Sequence, residues 1–175
     1  MRLLLLAAIG IAAASLSTPA AAEDTAPCDA GMVCASNPDT VIAALTKAGA
    51  KPKLDKDGSE DPMLEVEGDA YRYQVYFYGC KEHKNCDSLR FEVVFNKEPE
   101  NTNELANKWN STKRFLQMSV RADGTLGAAY DVATIGGVNA KNFVDVLDWW
   151  SSMLGELDTF FKAEVPVKAP APAKN

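Results

Sequence analysis

Between Asn139 and Lys162 the apolar side chains fall on one stripe: Phe143, Leu147, Trp150, Leu154, Leu157 and Phe161 recur at steps of four, three, four, three and four. This is the spacing of one face of an α-helix, and Val146, Trp149, Met153 and Phe160 widen it. So broad an apolar face has to lie across another layer, here a sheet, with part of it left over for a partner. Asn139 is placed to cap such a helix, and Gly136-Gly137 breaks whatever strand precedes it.

The sheet is legible in period-two runs. In residues 71–78, Tyr71, Tyr73, Val75 and Phe77 share one face while Arg72, Gln74, Tyr76 and Tyr78 share the other. Residues 89–96 alternate in the same way, with Leu89, Phe91, Val93 and Phe95 opposed to Arg90, Glu92, Val94 and Asn96. The two runs predict a hairpin. A shorter strand is predicted around Met63, Leu64 and Val66, between Lys56-Asp57-Gly58 and Gly68-Asp69. A second hairpin is predicted from Leu116–Ala122 and Leu126–Thr134, joined at Asp123-Gly124 by a type I′ turn. Asn37-Pro38-Asp39 opens a first helix with the stripe Val41, Ile42, Leu45 and Ala48, closed by Gly49. Asn103–Phe115 is predicted helical, with Leu105, Trp109 and Phe115 inward. The expected fold class is α+β: a twisted antiparallel sheet with helices packed on one face, in the order α-β-β-β-β-α-β-β-α.

The ends of the 175-residue chain read differently. Met1-Arg2, the apolar run Leu3–Ala14 and Ala20-Ala21-Ala22 before Glu23 have the form of a signal peptide, residues 1–22. The apolar run is shorter than the ~20 residues that span a bilayer, so cleavage and export, to a periplasm in a bacterium, are expected rather than membrane insertion. Residues 23–36 form an N-terminal segment carrying a cysteine pair, residues 37–162 the folded domain, and 163–175 a Pro/Ala/Lys tail too poor in apolar residues to fold. Beyond the leader, 17 basic side chains face 24 acidic ones, a formal charge of −7. Nucleic acid is excluded as a partner, because phosphate neutralisation needs clustered Lys and Arg.

Cys28 and Cys34 are separated by five residues, as are Cys80 and Cys86. Four cysteines allow three connectivities, and local pairing is the simplest in an exported chain. A bridge between Cys80 and Cys86 would close the tip of the central hairpin. A zinc site prefers ligand pairs two to four residues apart, and a redox pair prefers C-x-x-C, which does not occur.

No nucleophile–base set, phosphate loop or H-E-x-x-H motif is present, so neither a metal nor another cofactor is expected and a non-enzymatic role is favoured over a small hydrolase or transferase. His83, the single histidine, lies at a polar hairpin tip. Glu65 and Glu67 read as a solvated strand face, Gly136-Gly137 as a turn rather than an anion cradle, and Asn110-Ser111-Thr112 as a chance sequon. What remains for a partner is the outward sheet face: Arg72, Gln74, Tyr76, Tyr78, Arg90 and Val94.

The segments YFYGCKEHKNCDSLRFEVVF, LANKWN, KRF, RADGTLGAAYDV and IGGVNAKNFVDVLDWW resemble the YbjN family of bacterial proteins, labelled sensory transduction regulators. The resemblance covers about Asn37 to Phe161, with its best marks in the Tyr-Gly-Cys hairpin, Asn107-Lys108-Trp109-Asn110 and Gly136-Gly137. It implies the small α+β fold of type III secretion chaperones, which bind extended protein segments and often dimerise. A protein-binding or chaperone-like role in envelope regulation or stress, with a protein or peptide partner, is thus implied. The resemblance brings no catalytic residues with it.

Overall fold

The computed structural model describes residues 28–68 and 70–165. The leader, its cleavage point and residues 166–175 of the tail lie outside them. In chain order the elements are β1 (Met32–Val33), α1 (Pro38–Lys47), β2 (Lys51–Lys56), β3 (Pro62–Glu67), β4 (Arg72–Tyr78), β5 (Ser88–Phe95), α2 (Asn103–Asn110), β6 (Gln117–Val120), β7 (Leu126–Ala133), β8 (Val138–Asn139) and α3 (Ala140–Glu164). Strands β2 to β7 form one antiparallel sheet in the spatial order β2-β3-β4-β5-β7-β6, and β1 pairs with β8 in a separate two-stranded ribbon. The expected α+β class holds and the element order matches in outline, with β1 and β8 as additions and β2 at Lys51–Lys56 as a strand that no predicted run places.

Strand alternation sorts the core. Tyr73, Val75 and Phe77 of β4 and Leu89, Phe91 and Val93 of β5 are buried on one face, and the β5–β7 register adds Leu126, Ala128 and Val132 to it. Helix α3 lies across that face: the Trp150 ring sits 5.3 Å from Tyr73 and 5.6 Å from Phe91, and Phe161 meets Phe95 edge-on at 4.9 Å. Helix α2 joins the same layer through Trp109, fully buried and edge-on to Phe160 at 5.2 Å. Helix α1 adds Val41 and Leu45. Each helix starts on a side-chain cap that satisfies a free backbone N–H: Asn37 accepts from Asp39, Thr102 from Leu105 and Asn139 from Asn142.

Four local expectations are corrected. Helix α2 stops at Asn110, not Phe115; Phe115 has φ +66°, is exposed, and stacks on Trp149 at 4.7 Å. The helix ends there because Asn110 turns both atoms of its amide to the backbone of Met118, at 2.9 Å each, while Trp109 Nε1 donates to Leu116 O at 2.8 Å. Ala48 is the exposed C-cap of α1 and no part of its buried stripe. Ala163 and Glu164, expected in the tail, are the last residues of α3.

The turn at Asp123-Gly124 has positive φ only at Gly124, at +88°. Gly124 N donates to Arg121 O and Arg121 N to Thr125 O, the bonding of a type I turn with a glycine bulge. The Asp123 carboxylate accepts from Thr125 N and Oγ1 at 2.9 and 2.7 Å, which favours the local form and holds its pKa below the ordinary value. A type I′ turn does occur, at Lys81–Lys84, where Glu82 and His83 take φ +50° and +62° and Lys81 and Lys84 exchange backbone bonds. Neither is a glycine, and that region costs about 1–2 kcal/mol for a residue with a side chain, less for a histidine than for a glutamate. Here the loop is closed by the Cys80–Cys86 disulfide, and Cys28 is joined to Cys34.

Candidate functional site

With the three described helices on one side, the other face of the sheet is left open, and the six sequence-selected residues Arg72, Gln74, Tyr76, Tyr78, Arg90 and Val94 all lie on it. Register divides them. Tyr76 is paired across the ladder with Arg90, and the Tyr76 and Tyr78 rings are 6.3 Å apart, so these three form one cluster near the Cys80–Cys86 tip. Val94 lies four residues beyond Arg90 on β5, roughly 14 Å away at strand rise. Arg72 is at that far end too, ion-paired with Glu67 at 2.9 Å.

Between the two ends sits a residue that the sequence pattern places outward without revealing its role. Glu92, opposite Gln74 and Ala129, is buried on the open face, its side chain 9% exposed. Its carboxylate forms an ion pair with Arg121, Oε1 to Nη2 2.8 Å, with Arg90 Nη2 at 3.9 Å. The room for it comes from Gly127 on β7: a Cβ there would lie 3.0 Å from Glu92 Oε1. Arg90 is also held by Asp131 through two contacts of 2.9 and 3.1 Å. Lys53 pairs with Glu65 at 3.5 Å.

The charges of this face are therefore largely spent on one another, and the tyrosines are what is left facing out. Tyr78 is 46% exposed and Tyr76 half-buried. Burial raises the Tyr76 pKa, with the nearby Glu92 carboxylate adding to the rise, so Tyr76 is a neutral hydroxyl donor at physiological pH. An aromatic pair beside a fixed guanidinium suits contact with an uncharged or aromatic protein segment.

The other features singled out in the sequence take structural roles. His83 Nδ1 is 2.8 Å from Asp61 Oδ1, tying the β4–β5 tip to the β2–β3 turn, and lies outside the Tyr76–Tyr78–Arg90 cluster. The Gly137 amide donates to Thr134 O, so the Gly136-Gly137 segment serves as a strand-to-helix turn. Among the described residues no group of three or more His, Cys, Asp or Glu could hold a metal ion, and no helix is long and apolar enough to cross a membrane.

Residues 37–163 match the model of the YbjN family, described as "Putative bacterial sensory transduction regulator". Among solved structures, the chain is similar to the crystal structure of YbjN from E. coli, described as "a putative transcription regulator". The two are 14% identical, with 71% of this chain and 87% of that one covered and a TM-score of 0.47. No curated protein matches the chain.

Proposed function

The chain belongs to the YbjN family, and from that premise we propose that it is a non-enzymatic regulatory module that works by binding a protein segment on the open face of its sheet. The carrying observation is the Tyr76–Tyr78 pair beside Arg90 on a face whose charged groups are otherwise neutralised in place. The partner that fits is an uncharged, aromatic or apolar segment, since a charged one would have to break existing ion pairs. The leader expected at residues 1–22 and the paired cysteines support action in the periplasm, in envelope regulation or stress, with a chaperone-like hold on an extended segment.

The test starts from a partner captured on the tagged, exported protein and measures its affinity for purified variants. Tyr76→Ala and Tyr78→Ala should each weaken it tenfold or more, and His83→Ala should leave it within twofold. Loss in His83→Ala alone would move the site to the hairpin tip. Catalytic turnover by the chain alone would overturn the non-enzymatic reading. For the location, the intact mass of periplasmic material should equal residues 23–175 less four hydrogens; a retained leader or reactive thiols would contradict it.

A further inference from the structure

At the end of β5 away from the Cys80–Cys86 tip, a groove of about 510 Å3 runs beside the last turn of α3. Its apolar part is Phe95, Leu126, Phe161 and Val165, with the Phe95 and Phe161 rings edge-on at 4.9 Å. Its charged part is unbalanced. Asp158 and Lys162 hold each other at 2.6 Å, which leaves Glu98 and Glu100 of the β5–α2 connection on the rim with no ion pair among the described residues. The groove is an aromatic wall under an acidic rim.

The chain itself delivers a segment to this groove. Val165, the residue after α3, is half-buried, lines the groove and is already extended at φ −109° and ψ 95°, and Pro166 after it disfavours a return to helix. Residues 166–175, PVKAPAPAKN, carry three prolines, two lysines and no acidic side chain. A polyproline II helix has three residues per turn, so in that form Lys168, Ala171 and Lys174 share one edge, Val167, Pro170 and Ala173 a second, and Pro166, Ala169 and Pro172 a third. Both cations fall on one edge, and the other two are apolar throughout. Aromatic-lined grooves take such segments because a preformed polyproline II helix loses little entropy on docking.

We propose that residues 166–175 dock in cis in this groove as a polyproline II segment, with an apolar edge on Phe95 and Phe161 and Lys168 against the rim of Glu98 and Glu100. At a rise of about 3.1 Å per residue Lys168 stands ~9 Å beyond Val165, within reach of the rim of a groove that Val165 itself lines. A segment with so few apolar groups docks weakly, so its removal barely moves the melting midpoint and the experiment has to read the groove directly. None of the six open-face residues lines the groove, so the inference stands or falls apart from the partner proposed above.

The test follows the Phe95 and Phe161 ring resonances and the Val167, Lys168 and Ala169 amides of the full exported chain by NMR. Those amides should have order parameters above about 0.6, the value below which backbone counts as flexible. Lys168→Glu with Lys174→Glu should lower the order parameters below that value and move both rings to where deletion of residues 166–175 puts them, with the β4 and β5 amides unchanged as proof of folding. Glu98→Lys with Glu100→Lys should do the same, and the two pairs of reversals combined should restore the docked values. Order parameters below about 0.6 in the unaltered chain, ring shifts unmoved by the deletion, or no recovery in the combined variant would each overturn the proposal. Shifts that grow with protein concentration would give the groove to the tail of a second copy, and rings that move only on addition of an unrelated proline-rich peptide would give it to another protein; either result overturns docking in cis.

Discussion

On β5, Leu89, Phe91 and Val93 face one way and Arg90, Glu92 and Val94 the other, and the two sets are stabilised by different physics. The first is covered by α3 and excludes water, so its contribution scales with apolar area at roughly 25 cal/mol per Å2. The second has no covering layer among the described residues, and its order comes from a register-dependent chain of ion pairs, Asp131 to Arg90 and Glu92 to Arg121, in which Glu92 alone is buried. A covered face can absorb a one-atom mismatch by repacking. A paired-charge face cannot, because removing one partner leaves a charge facing its desolvation penalty.

The sharpest way to break this comparison is Trp150→Ala. Trp150 touches both Tyr73 and Phe91, and the cavity left behind should cost about 3 to 5 kcal/mol. Deleting residues 166–175 should leave the melting midpoint within a degree or two, so equal effects in calorimetry would refute a core centred on α3. On the open face, Arg121→Ala should cost about 1 to 3 kcal/mol in denaturant titration, since Glu92 keeps its burial and loses its 2.8 Å partner. Glu92→Gln combined with Arg121→Ala should recover part of that loss. If the double variant is no better than the single, Glu92 is not held against burial in the way described.

The disulfide-closed tip joins both faces, and Cys80→Ser with Cys86→Ser should cost about 2 kcal/mol by loop closure. Tyr78→Ala, half-exposed and outside the core, should change stability by less than about 0.5 kcal/mol while still weakening a partner. Arg90→Glu is a poor probe by comparison, because it would set a third carboxylate beside Glu92 and Asp131. At neutral pH the smallest effect belongs to the Tyr73 hydroxyl, whose contribution shows only at high pH. Its pKa is raised in the fold to about 12 from 10.0, so its contribution is complete below pH 10 and is lost as pH rises through 12. Tyr73→Phe should flatten the fall in stability over pH 10–12, and an unchanged fall would place the titrating group elsewhere.

What the sequence determined by itself is what repeats within a turn or a pleat. The spacing of Phe143 to Phe161 specifies a helix, the alternation in 71–78 and 89–96 specifies strands with known inward faces, and Asn37 and Asn139 mark helix starts, because capping, 3.6-residue and two-residue periods all act between near neighbours. The same alternation named the six outward residues correctly as a face. It did not separate the Tyr76–Tyr78–Arg90 cluster from Val94 and Arg72, nor show that Glu92 is buried, since those depend on β5 lying beside β7 with Gly127 in reach. Tertiary structure also decided that Asn110 binds the β6 backbone, that β1 reaches across more than a hundred residues to β8, and that the Trp150 ring lies between Tyr73 and Phe91. Each is a contact between segments distant in the chain, and no local period encodes which distant atom a side chain will meet.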